Sequence, residues 1–137
     1  METVKTKYLG NFRTEVEHVE SGHKIITDAP KDNQGKGEFF SPTDLFAASY
    51  GACALTIMGL SAHNHGFDIN GAEVKTAKIM GTNPRRIAEL IVDFTFPHNN
   101  YSEKERKLIE LSVNQCPVAN SLDPAMKITK SIKYSQI

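Results

Sequence analysis

The sequence predicts a single domain that mixes strands with helices, and three observations carry this reading. A long apolar run from Ser41 to Gly66 has helix signals at both ends. Stretches of β-favouring residues lie before and after it, separated by clusters of Gly, Pro, Asn and Asp. At 137 residues the chain is long enough to bury a core without metal or disulfide staples.

Residues Lys5 to Val19 have β character, and Ser21-Gly22 turns the chain into a second strand from His23 to Thr27, which reads as a hairpin. The segment DAPKDNQGKGEFF, with Pro30, Asp32, Asn33, Gly35 and Gly37, favours a surface loop. A helix then begins with Ser41 as cap and Pro42 in the first position. Asp44 stands three residues after Ser41, at the positive helix end, and Gly66 marks the stop. Leu45, Phe46, Ala48, Ala52, Cys53, Leu55, Met58 and Leu60 cover most of its circumference, so a central, largely buried helix is expected.

Two β segments follow, Asp68 to Met80 and Ile87 to Phe96, joined by a turn over Gly81 to Arg86. Ser102 caps a second helix with Glu105 as its capping-box partner and Leu108, Leu111 and Ile109 on the inner face. Pro117 ends that helix and suits the first turn of a short new one, and Met126 to Ser135 reads as a last strand.

Charge excludes some functions. Sixteen basic and sixteen acidic residues are spread along the chain, which argues against nucleic acid or an anionic membrane surface as partner. METVKTKYLG lacks the apolar core of a signal peptide, and no stretch approaches the ~18 to 20 apolar residues that span a bilayer, so a cytoplasmic protein with no membrane partner is expected.

The chemistry-bearing residues are two cysteines. Cys53 and Cys116 stand 63 positions apart, too far for a redox CxxC and too isolated for a four-ligand zinc site. In a reducing compartment they are free thiols or members of a transient disulfide. Cys53 lies about three turns past Ser41, beyond the one-turn reach of the helix dipole, and needs a cation from elsewhere to become a thiolate. Arg13 is the candidate. Cys116 gains thiolate character from the helix that begins at Pro117, so on local grounds it is at least as activated. His63 and His65, two positions apart on a helix, diverge by about 200° and lack a third ligand. Gly35-Lys36-Gly37 is too short for a phosphate loop.

The segments SPTDLFAASYGAC and CPVANSL, the Gly-containing loop before them and the strand-rich start resemble the OsmC/Ohr family of thiol-dependent peroxidases, over nearly the whole chain. The resemblance implies an α+β fold of curved antiparallel sheets around a long central helix, with two subunits interlocked as a homodimer and active sites at their interface. It implies that Cys53 attacks an organic hydroperoxide and becomes a sulfenic acid, that Cys116 resolves it as a Cys53-Cys116 disulfide, and that an external dithiol reduces the bridge. Arg13 would hold the thiolate and orient the peroxide, and Leu45, Phe46, Ala52 and Met58 would favour an organic substrate. No cofactor is implied.

One position departs from the pattern. Many members carry a glutamate directly after the helix-starting proline, paired with the arginine; here Thr43 occupies it. Asp44, one residue later, is rotated by ~100° and need not replace that carboxylate. Glu38 and Asp44 are the remaining acids near the helix entry. The alternative function is a noncatalytic protein of the same fold that binds a small hydrophobic ligand or senses stress.

Overall fold

The computed structural model describes residues 2–135 and divides the chain into two compact units, Met1–Phe46 and Ala47–Ile137. In the first, three antiparallel strands β1 (Val4–Gly10), β2 (Arg13–His18) and β3 (Lys24–Asp28) pair in the order β1-β2-β3. The stretch expected as one strand from Lys5 to Val19 is therefore two. Gly10, Asn11 and Phe12 all take positive φ, at 93°, 54° and 64°, and reverse the chain between them. Glycine adopts that conformation freely and asparagine tolerates it, but for phenylalanine it is strained.

Helix α1 (Pro42–Asn64) begins where the cap signals place it. The Ser41 backbone N–H donates to Asp44 Oδ2 at 2.9 Å, and the Asp44 N–H donates back to Ser41 Oγ at 3.1 Å. This reciprocal pair satisfies two amides that the helix itself cannot. At the other end Gly66 takes φ 81° and closes the helix.

In the second unit, β4 (Glu73–Gly81), β5 (Arg86–Phe96) and β6 (Lys127–Tyr134) form a sheet in the order β4-β5-β6. Strand β4 runs antiparallel to β5, but β6 runs parallel to it, so this sheet is mixed rather than purely antiparallel. A parallel neighbour needs a crossover, and α2 (Glu103–Ser112) with the segment after it supplies one. The capping box between Ser102 and Glu105 forms as the sequence predicts. The buried residues of α2 are Ile109, which was anticipated, and Ser112, whereas Leu111 is 55 % exposed, so the inner face is turned by one residue, about 100°, from the Leu108–Leu111 face.

Leu90, Val92, Phe94 and Phe96 alternate along β5 onto one face and are all fully buried. Each such side chain contributes about 1.5–3 kcal/mol by leaving water. Against them α1 lays Ala47, Tyr50, Gly51, Ala54, Met58 and Ala62, spaced by three and four residues as a single stripe. The expectation of burial all round the helix is corrected here: Leu60, off that stripe, is 55 % exposed. The expectation about membrane-length segments is corrected as well, since α1 is long and apolar enough by length and composition to cross a bilayer, although its buried stripe belongs to the core.

Gly51 is the point of closest approach. A Cβ built there stands 2.8 Å from Val74 Cγ1 of β4 and 3.4 Å from Thr76 Oγ1. Gly51→Val should therefore cost about 1–3 kcal/mol, read as a lower urea midpoint under reducing conditions; an unchanged midpoint would show that the helix does not bear on β4 there.

Candidate active site

Both cysteines belong to the second unit. Cys53 projects from α1 and is partly buried, while Cys116 is fully buried and closes a short 3-10 turn at Val113–Gln115, with φ −71° and ψ 123°. That extended backbone follows from Pro117, which disfavours helical φ and ψ in the residue before it. A side-chain hydrogen bond joins Cys116 to Cys53, so the fold brings together two thiols 63 positions apart in the chain. Both are free.

The surroundings of Cys116 act in opposite directions. Burial raises its pKa most, and the hydrogen bond with Cys53 raises it further, while backbone N–H groups of Ala119 and Val118 donate to the sulfur and lower it; the balance is upward. These amides open the turn at Ala119–Ser121, which the Asn120 N–H fastens to Cys116 O at 3.1 Å and Ser121 Oγ to Pro117 O at 2.8 Å. The short helix expected after Pro117 is thus a single 3-10 turn, and it reaches Cys116 through individual amides rather than a helix dipole. Tyr50, three residues before Cys53 on α1, is buried beside the pair; burial raises its hydroxyl pKa first and Cys116 adds to it.

Arg13 opens β2 in the first unit, opposite Asp28 in the β2–β3 register. Its Nη2 lies 3.4 Å from Asp28 Oδ2 and 2.5 Å from Glu38 Oε1, and its guanidinium stands 5.2 Å from the centre of the Phe39 ring. Asp28 is 1 % exposed; its Oδ2 also accepts the Glu38 backbone N–H at 3.1 Å, and its Oδ1 has no partner among the described residues. Arg13 also lines a cleft of about 350 Å³ with Asn11, Phe12, Gln34, Gly35 and Lys36.

Of the acids considered at the helix entry, Glu38 is paired with Arg13, and Asp44 is engaged in capping α1 through Ser41. Thr43 Oγ1 lies 3.1 Å from Ser41 Oγ. Met58, expected to line the substrate side, is fully buried in the core instead. Asp28, Tyr50 and the two amides after Cys116 were not anticipated. Asp28 could be found only by pairing β2 with β3, whereas Tyr50, one helical turn before Cys53, was within reach of the helix period. Among the described residues no group of three or more His, Cys, Asp or Glu side chains could hold a metal ion.

The raised Cys116 pKa ties stability to pH. The unfolded chain releases this proton first, near the ordinary thiol value of 9.0, so the contribution of Cys116 is present below that pH and is lost as pH rises through the folded value. Reduced wild-type protein should lose stability more steeply than Cys116→Ser between about pH 8 and 10 in denaturant titrations. Parallel curves would place no raised thiol at Cys116.

No curated protein matches this sequence. The OsmC-like protein family matches residues 35–131, most of the chain. A Psychrobacter arcticus structure, provisionally named an osmotic stress induced and detoxification response protein, is 41% identical, with a TM-score of 0.89 over 98% of this chain and 96% of that one. An OsmC-like protein from Mycoplasma pneumoniae is 19% identical with a TM-score of 0.80, over 97% of this chain and 96% of its own. An organic hydroperoxide resistance protein OsmC from Legionella pneumophila is 20% identical with a TM-score of 0.69, over 98% of each chain; these two likenesses concern the fold alone. With the family matched across most of its length and the same fold found in its relatives, this chain belongs to the OsmC-like family.

Proposed function

We propose that this protein is a homodimeric thiol peroxidase of the cytoplasm that reduces organic hydroperoxides. The observation that carries the reading is the pair of hydrogen-bonded free thiols, one partly exposed and the other fully buried behind it. The partly exposed thiol is the one a peroxide can meet, and the buried one is in place to trap the product. Organic hydroperoxide resistance in the names of the Legionella pneumophila relative and of a Vibrio cholerae one lends support.

In the first step Cys53 Sγ, as thiolate, attacks the terminal peroxide oxygen. The O–O bond breaks, the alcohol leaves, and Cys53 becomes a sulfenic acid. Cys116 then attacks Cys53 Sγ, expelling hydroxide and forming the disulfide, which an external dithiol reduces by exchange. Arg13, held by Asp28 and Glu38, is the cation that the family pattern assigns to orient the peroxide. In this chain those two acids take over the anchoring that a carboxylate at Thr43 provides elsewhere in the family.

The dimer rests on exposed apolar surface. In the first unit Tyr8, Leu9, Phe12, Phe39 and Phe40 are each about half exposed or more, and in the second Leu60 stands out from α1. A soluble chain covers surface of this kind with a partner, and a second copy is the partner the family pattern implies.

One equivalent of cumene hydroperoxide should remove both free thiols from each chain and yield a Cys53-Cys116 peptide on nonreducing mapping. Cys53→Ser should abolish turnover and Cys116→Ser should stop at the sulfenic acid. Thiols that stay titratable in folded wild-type protein would overturn the peroxidase assignment. Arg13→Ala should lower kcat/KM by roughly 10²-fold, the scale of losing one preorganised donor to a reacting centre; unaltered kinetics would leave Arg13 as a purely structural residue.

A further inference from the structure

The cleft of about 350 Å³ beside Arg13 is lined by two cations and two carboxamides, and among the described residues no acid lines it. Asn11, Phe12 and Arg13 come to it from the turn into β2, and Gln34, Gly35 and Lys36 from the loop before α1. These two segments are fastened through Ala29, whose N–H donates to Phe12 O at 3.1 Å and whose carbonyl accepts from the Gly37 N–H at 3.3 Å. At Gly35 the loop lies so near that a Cβ would stand 1.6 Å from the Ala29 carbonyl oxygen. The cleft is therefore preformed, and its size suits a small organic molecule.

Arg13 brings only one of its nitrogens to its acids. Nη2 meets both Asp28 Oδ2 and Glu38 Oε1, while Nε and Nη1 have no partner among the described residues, nor do the side chains of Asn11, Gln34 and Lys36. The two acids differ in burial. Asp28 is 1 % exposed and holds Arg13 as a fixed part of β3, whereas the Glu38 side chain is 56 % exposed. An exposed ion pair contributes little to stability, so Glu38 can give way to another carboxylate. We propose that this cleft is a binding site for an organic carboxylate, which displaces Glu38 from Arg13, takes the unused guanidinium donors and the Lys36 ammonium, and lays its apolar part on the Phe12 ring.

The exchange keeps the charges matched. With the ligand bound, Arg13 and Lys36 face Asp28 and the incoming carboxylate, and Glu38 returns to water. A guanidinium fork fits a planar carboxylate with two parallel N–H···O bonds, which a neutral amide or an alcohol cannot accept in the same way. The amide groups of Asn11 and Gln34 are donors for the remaining lone pairs, and Phe12, 54 % exposed, is open to an aryl or alkyl group. This site lies wholly within the first unit and does not involve the thiol pair, so it stands apart from the peroxidase reading. Where that reading holds, the carboxylate has two sources: a hydroperoxide that carries one, or a separate anion that occupies Arg13 and keeps the peroxide away.

Phenylacetate is the probe, with phenylacetamide as its neutral counterpart. In NMR titrations of the reduced wild-type protein the acid should bind at least about tenfold more tightly than the amide, the gain of charged over neutral hydrogen bonds, with shifts centred on residues 11–13 and 34–38. Lys36→Gln should weaken the acid by about threefold or more, and Glu38→Gln, which removes the competing carboxylate, should tighten it by a similar factor. Equal affinity for acid and amide, shifts centred elsewhere, or an acid affinity indifferent to both substitutions would overturn the proposal. Turnover then separates the two sources. If the substrate carries the carboxylate, cumene hydroperoxide with a para-carboxylate should exceed its methyl ester in kcat/KM. If a separate anion does, acid and ester should react alike, and phenylacetate should raise the KM for cumene hydroperoxide with kcat unchanged. Absence of turnover with every hydroperoxide, with phenylacetate still bound, would overturn the peroxidase reading and leave the carboxylate site standing.

Discussion

The hydrogen bond between Cys53 and Cys116 depends on how closely one helix can lie on a sheet. Helix α1 reaches β4 at Gly51, where even a single added carbon would meet Val74 at 2.8 Å. Two residues further along the helix is Cys53, whose height above the core is set by that approach. The opposing thiol is fixed from the other direction, by the fully buried Ile109 and Val113 before it and by the turn that Pro117 forces after it. Neither cysteine is near the other in sequence, and neither position would matter if the core were a residue thicker. The thiol pair is thus a product of packing, held by side chains of the core.

How much of this was legible in the sequence follows from the range of each interaction. The start of α1 was readable because Ser41, Pro42 and Asp44 act within four residues, and the same holds for the capping box of α2. The turn at Gly10 to Phe12 was hidden because it places a phenylalanine at positive φ, where a β-favouring aromatic reads as more strand. That lost turn also concealed Asp28, since its position opposite Arg13 exists only once β2 is separated from β1. The parallel pairing of β6 with β5 depends on the crossover and leaves no local mark.

The site residues divide in the same way. The type and spacing of the cysteines, with the motifs around them, pointed to family and chemistry. Their direct contact, and the amides that serve Cys116, are tertiary facts. Arg13 was singled out as the candidate cation for Cys53, and the pair of acids that hold it comes from a strand and a loop rather than from the start of α1. Asp44 shows what spacing alone can tell: a carboxylate three residues after a serine accepts the amide of that serine and caps the helix.

The crossover from β5 to β6 has a mechanical side. The strands at its two ends are pinned in a ladder from Glu89–Lys127 to Phe96–Tyr134, but Cys116 lies in the connection between them, flanked by two 3-10 turns of three residues each. Closing a disulfide draws the sulfurs from hydrogen-bond separation to about 2.05 Å. In the disulfide proposed above, that movement would fall on these short turns rather than on the paired strands.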